Sequence, residues 1–160
     1  MGKLFTSRRA FTTLAMSATA VPLTGTLTET ALATVPIPIG ALAANSMLRI
    51  TALWSFVNST ADNKFVIIRL AGVSGDAYFS NNYTNTLSLE TVTHIWGRTL
   101  TSQLGKQAGL GQAGGSSTSA NKTSSRNMAT AIDLVLNGQL VTSTANTITL
   151  EAYIVELMAG

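Results

Sequence analysis

Beyond residue 24 the chain is written in a period of two. Leu48, Ile50, Ala52, Trp54 and Phe56 take every second position, and Arg49, Thr51, Leu53, Ser55 and Val57 fall between them. Successive side chains of a strand point to opposite faces, so this pattern predicts a half-buried strand over 47–57. Residues 86–96 repeat it: Leu87, Leu89 and Ile95 share one face, and Glu90, Val92, His94 and Trp96 the other. In 147–157, Ile148, Leu150 and Ile154 oppose Glu151, Tyr153 and Val155. The run 65–70 is almost continuously apolar and predicts a central strand. Residues 26–37 stop at Pro36 and Pro38. Proline has no amide to donate, so that strand ends there or lies at a sheet edge. Shorter strands are expected at 77–80, 99–104 and 128–136.

Between these runs stand Asn58-Ser59-Thr60-Ala61-Asp62-Asn63, Gly72-Val73-Ser74-Gly75-Asp76, Asn81-Asn82 and Asn137-Gly138. These are turn-forming residue types. Residues 105–125 are dominated by glycine, serine and threonine and predict a long flexible loop. No useful helical period occurs after residue 24. The expectation is an all-β protein, an antiparallel β-sandwich or jelly roll of about eight strands. At 160 residues the chain is long enough for one domain with a real core. Residues 1–24 lack strand alternation and read as an extended N-terminal arm, with residues 25–160 as the sandwich domain.

Composition narrows the function. There is no cysteine and one histidine, His94. That excludes disulfide frameworks, thiolate metal sites and any site built on two imidazoles. Charged residues make up 11% of the chain, against roughly 25% in an ordinary domain. Polarity is carried instead by 24 Thr, 15 Ser and 10 Asn, the balance of a neutral β protein rather than of a typical enzyme. No run of 18 apolar residues occurs, so no helical membrane span is expected. The net charge of +3 comes wholly from Lys3, Arg8 and Arg9; from Glu29 onward seven bases meet seven acids. The body's bases are isolated along the chain, unlike the clustered footprint of a nucleic-acid binder, so no specific nucleic-acid partner is expected.

Several motifs carry little chemistry. Gly109-Leu110-Gly111-Gln112-Ala113-Gly114 matches the dinucleotide fingerprint by letter, but Gly115-Ser116-Ser117-Thr118-Ser119 follows it where a helix should open. His94 has no triad spacing to Ser88, Glu90 or Asp133, and the acids are scattered. No cofactor, metal or catalytic residue is therefore assigned, and the chain is not read as an enzyme. Ser7-Arg8-Arg9-Ala10-Phe11 resembles a twin-arginine export signal, with Ala18-Thr19-Ala20 as a cleavage site. Alternatively the arm docks on another subunit through Leu4, Phe5, Phe11, Leu14 and Met16, with Lys3, Arg8 and Arg9 supplying charge. Trp54 and Trp96 are either core residues or contacts to a glycan or neighbouring subunit.

Two segments carry a resemblance. One runs from Thr24-Gly25-Thr26-Leu27-Thr28-Glu29 through Ile37-Pro38-Ile39-Gly40-Ala41-Leu42 to Leu48-Arg49-Ile50-Thr51-Ala52-Leu53-Trp54-Ser55. The other joins Gly138-Gln139-Leu140 to Ile148-Thr149-Leu150-Glu151-Ala152-Tyr153-Ile154-Val155-Glu156. Together they resemble the small all-β structural proteins of tailed bacteriophages: capsid decoration (cement) proteins, head fibres and tail-fibre domains. The resemblance implies a jelly-roll-like sandwich, commonly a homotrimer, located in the virion. Its partners would be the major capsid protein or other virion proteins. The short chain favours a decoration or head-fibre protein held by its arm. A tail-fibre or tail-tip module binding a receptor or host-surface glycan is the first alternative. An exported lectin-like sandwich is the second.

Overall fold

A computed structural model describes residues 11–57, 62–106 and 120–160. Among these residues there are eleven strands and no helix. They are β1 (Phe11–Ser17), β2 (Val21–Leu23), β3 (Thr30–Ile37), β4 (Met47–Val57), β5 (Lys64–Leu70), β6 (Asp76–Tyr83), β7 (Ser88–Thr99), β8 (Ser102–Gly105), β9 (Lys122–Ser124), β10 (Ile132–Leu140) and β11 (Thr147–Met158). Every strand pair is antiparallel. The larger sheet has the order β1-β11-β4-β7-β8-β9, with β2 also on β11; the smaller has the order β3-β10-β5-β6. The two sheets make a sandwich, as the alternation predicts.

Its core is where the sequence pattern placed it. Leu48, Ile50, Ala52, Trp54 and Phe56 of β4 are buried, and they meet Leu70, Leu134, Leu136 and Ile68 of the smaller sheet. β5 lies between β10 and β6, as its apolar run requires. β3 is an edge strand, so Pro36 sits opposite Asp133 without costing the sheet an interior amide. The strand expected to end at Asn137-Gly138 instead runs on to Leu140. Gly138 faces Leu23, Leu32 and Ile148, whose methyls fill the space a side chain would take.

The arm is the main correction. Residues 11–23 are not outside the sandwich: β1 pairs with Tyr153–Met158 of β11 and β2 with Ile148–Leu150. Leu23 is buried in the core, and Leu14 packs against it. Their alternation is masked by short strand length and by a bulge between Thr13 and Ala15. Residues 1–10, with Lys3, Leu4, Phe5, Arg8 and Arg9, lie outside the described residues. So do 107–119, which include the glycine motif, and 58–61.

A second bulge changes which side chains face inward. Between Leu150 and Ala152 the register of β11 on β4 shifts by one. Glu151 is the extra residue, and it lies where β11 passes from β2 to β1. Tyr153, Val155 and Leu157 therefore turn toward the core, and Ile154 turns out, the reverse of the strict alternation read from the sequence.

Candidate interaction surface

The larger sheet has one face on the core and one facing away. On the outward face of its four longest neighbours, β1, β11, β4 and β7, residues line up in rows across the strands. The first row is Phe11, Met158, Met47 and Trp96; the second is Thr13, Glu156, Arg49 and His94. The third is Met16, Ile154, Thr51 and Val92, and the fourth holds Ala152, Leu53 and Glu90. An ordinary solvated sheet face would be polar throughout. Here Met16 is 73% exposed, Leu53 47% and Trp96 47%, with Phe11 and Val57 also exposed.

The second row is tied together. The Arg49 guanidinium donates to Glu156 through Nε at 2.8 Å and Nη2 at 2.6 Å, and its carbon stands 4.4 Å above the Phe11 ring. Phe11 thus makes a cation–π contact on the sheet face while its ring stays partly exposed. His94 lies beside Arg49, with its ring centroid 6.4 Å from that of Trp96. Burial, and then the Arg49 charge, hold its pKa below the ordinary histidine value, which favours the neutral ring. Below this row is an open groove of about 480 Å³, lined by Met16, Ala18, Leu53, Glu90, Ala152 and Ile154. Two residues beyond Leu53 on β4, the Ser55 hydroxyl donates to the Glu151 carboxylate.

The two tryptophans part company. Trp54 is fully buried, and its indole N–H donates to Thr91 Oγ1 at 3.1 Å. It is a core residue, and no glycan or neighbouring subunit can touch it in this fold. Trp96 stands on the outward face and remains a contact candidate. The partners considered for His94 do not converge. Asp133 belongs to the other sheet, and Glu90 and Ser88 are about 13 and 20 Å along its own strand at ~3.3 Å per residue. Among the described residues no group of three His, Asp or Glu side chains is placed to hold a metal ion.

The other charged clusters serve the fold. Glu29 accepts from Arg69 Nε at 2.7 Å and Nη2 at 2.9 Å, and from Asn137 Nδ2, pinning the segment before β3 onto the smaller sheet. Asp76 of β6 accepts from Lys122 of β9 at 2.9 Å and from Arg126 at 2.6 Å, which ties the two sheets along one edge. Tyr78, Ser124 and Gln103 continue that seam with hydrogen bonds of 2.5 and 3.0 Å. For Glu29 and Asp76 alike, burial pushes the pKa up, but the hydrogen bonds and cations outweigh it, and both carboxyls lie below their ordinary range. Lys64 is buried, and its ammonium donates to the carbonyls of Asp62 at 2.6 Å and Thr84 at 2.9 Å.

Of the apolar anchors read from the arm, Phe11 and Met16 lie on the outward face and Leu14 packs against the core; Ala18, which also lines the groove, carried no such signal. The signal was present only as Phe11, Leu14 and Met16 in a stretch too short and too bulged to alternate.

No family model and no curated protein matches the chain. Among solved structures, the VP2 subviral particle of infectious bursal disease virus aligns with 10% identity and a TM-score of 0.32, over 94% of this chain and 40% of that one. The Gx strain of the same virus aligns with 13% identity and a TM-score of 0.28, over 92% and 39%. The chain therefore spans about two-fifths of the length of those proteins.

Proposed function

We propose that the chain is a structural subunit of a tailed-bacteriophage virion, a capsid decoration or head-fibre protein, and not an enzyme. The observation that carries this reading is the outward face of the larger sheet. A lone soluble domain seldom leaves Phe11, Met16, Leu53 and Trp96 together in water, whereas a subunit of an assembly covers them. The resemblance of residues 24–157 to phage β proteins supplies the setting. The low charge and high hydroxyl content suit a rigid body held by many inter-subunit contacts. Residues 1–10, which hold Lys3, Arg8 and Arg9, serve as the anchor to the major capsid protein in this reading. Export through the twin-arginine motif fits less well, because cleavage at Ala18-Thr19-Ala20 would remove β1 and uncover an edge of β11.

The test is co-sedimentation with phage particles lacking their decoration. Full-length protein should bind, and a variant deleted for residues 2–10 should stay folded and fail to bind. The deletion must stop there, since residues 11–23 form β1 and β2. Undiminished binding by the deleted variant sinks the anchor, and no binding by either protein sinks the virion assignment. The exposed Trp96 beside His94 favours one second reading, a tail-tip module for a host-surface glycan. Glycan-array binding lost in Trp96→Ala, with folding retained, would replace the first reading by that one.

A further inference from the structure

We infer that Lys64 and Asn146 are the two ends of a self-formed isopeptide bond across the sandwich, with the Asp62 carboxylate as the proton carrier. This goes beyond the virion reading and does not depend on it.

The strands bring the two side chains to one residue. Lys64 opens β5 and shares the inward phase of Val66, Ile68 and Leu70, all fully buried. Asn146 immediately precedes β11 and shares the phase of the buried Ile148 and Leu150. β5 belongs to the smaller sheet and β11 to the larger, so an amine and a carboxamide enter the core from opposite layers. They meet at Asp62. Lys64 Nζ donates to the main-chain carbonyls of Asp62 at 2.6 Å and Thr84 at 2.9 Å, and Asn146 Nδ2 donates to Asp62 Oδ2 at 3.1 Å. Lys64 and Asn146 are both 0% exposed. Lysine is almost never found so deep, and an apolar residue would fill either position at lower cost.

As chemistry the set is complete: a nucleophile, an acyl carbon and a carboxylate to move the proton. Burial lowers the Lys64 pKa against the opposing pull of the Asp62 charge, so the neutral amine is easier to reach than on a surface lysine. The two carbonyls hold the nitrogen in place. Once the ammonium has lost its extra proton, the Nζ lone pair attacks Asn146 Cγ and the new C–N bond forms. One of the two remaining Nζ hydrogens passes through the Asp62 carboxylate to Nδ2. The Cγ–Nδ2 bond then breaks, and Nδ2 leaves as ammonia with three hydrogens. The amide left behind keeps one, and no oxidant, reductant or further reactant enters. Because both side chains are shielded from solvent, the amine rather than water meets the carbonyl carbon. The product ties the start of β5 to the start of β11 and closes most of the sandwich into one covalent ring.

The experiment uses the full chain, purified and then denatured and digested with trypsin. Trypsin needs a free lysine side chain, so a linked Lys64 is not cut. The two ends then fall in peptides 50–69 and 127–160. Mass spectrometry should find these as one branched peptide, lighter than their sum by one ammonia, with fragment ions placing the join at Lys64 and Asn146. Lys64→Met and Asn146→Ala should each keep the full sequence mass and run more slowly than the native chain on a denaturing gel. Asp62→Ala, which keeps both ends, should link at least about 10-fold more slowly in samples taken over time after synthesis. Peptides 50–64, 65–69 and 127–160 recovered separately and at full mass from the native protein overturn the bond, whether or not the variants fold. A loss of ammonia that survives Lys64→Met is a cyclised asparagine and overturns it too. An Asp62→Ala chain that links at the native rate overturns the role given to Asp62. Particle binding remains the separate test of the virion reading.

Discussion

Gly97→Ala should be one of the most damaging single-methyl additions in this protein. Gly97 sits on the core side of β7, directly beneath the segment that leads into β4. A Cβ there would lie 2.2 Å from the Ala43 carbonyl oxygen, 2.6 Å from that of Leu42 and 2.6 Å from Ser46 Oγ. Ordinary carbon–oxygen contacts are about 3.3 Å or longer, so the segment would have to retreat by about 1 Å. It is not free to do so. Asn45 N–H donates to the Gly97 carbonyl at 3.0 Å, and Gly97 N–H donates to the Ser46 carbonyl at 2.9 Å. Leu42, in the same segment, is fully buried.

The cost has two parts. Overpacking a filled site costs about 1–3 kcal/mol. Losing or stretching two backbone hydrogen bonds adds about 1 kcal/mol each. The total of about 3–5 kcal/mol is a large share of the roughly 5–15 kcal/mol that holds a domain folded. With a urea slope near 2 kcal/mol/M, the midpoint should fall by about 2 M. Far-UV circular dichroism is the right signal, because Trp96 neighbours the mutation and its fluorescence would report locally. Gly25→Ala is the control. Gly25 has φ +74 and nothing within 4 Å of a Cβ, so only the left-handed backbone penalty of about 1 kcal/mol applies. A Gly97→Ala protein within about 0.5 kcal/mol of native, or one no worse than Gly25→Ala, would refute the reasoning.

Three other outcomes follow from the same geometry. Trp54→Ala should cost about 3–5 kcal/mol in urea unfolding, as a core cavity does, whereas Trp96→Ala should shift monomer stability by less than about 1 kcal/mol. The Glu29 and Asp76 carboxyls have lowered pKa values in the fold, so their stabilisation is complete above about pH 4–5 and is lost as pH falls through the lower folded-state values. The double change Glu29→Gln and Asp76→Asn should therefore flatten the acid limb of a stability–pH curve; an unaltered limb would contradict it. Deleting Glu151 removes only the bulged residue and keeps Tyr153 and Val155 facing in, so the protein should fold with a loss of about 1–3 kcal/mol for the Ser55 hydrogen bond. Deleting Ile154 instead reverses every residue after it and should abolish folding, as judged by sharp amide NMR dispersion.

Most of the sandwich was legible because its central strands are long and have clean faces. β4 matches the expected 47–57 at both ends, and the outward set Glu90, Val92, His94 and Trp96 on β7 is as the alternation has it. What failed to show is what period two cannot encode. β2 and β9 are three residues long, too short for a period to register, and β1 is split by its own bulge. The long-range pairing that makes 11–17 a strand is supplied by β11, more than 130 residues away in sequence, and a local pattern carries no trace of it.

The candidate surface was less legible than the fold for a related reason. Alternation separates two faces of a strand but does not say which of them meets water. On β4 the outward set includes Leu53 and Val57, and a reader of sequence meets them as interruptions in a polar series. On β11 the bulge at Glu151 exchanges the faces midway, so Ile154 leaves the core and joins Leu53 outside. On β1 the contribution of Phe11 and Met16 depends on a pairing invisible in the sequence. Each departure alone is an ordinary exposed apolar residue. Only the registers of three strand pairs place them in adjacent rows, with Arg49 and Glu156 at one side and Glu90 at the other. The low charge of the whole chain fits the assembly proposed above. In the proposed assembly a sheet covered on both faces would carry few lysines and glutamates on either, with threonines standing between the apolar residues.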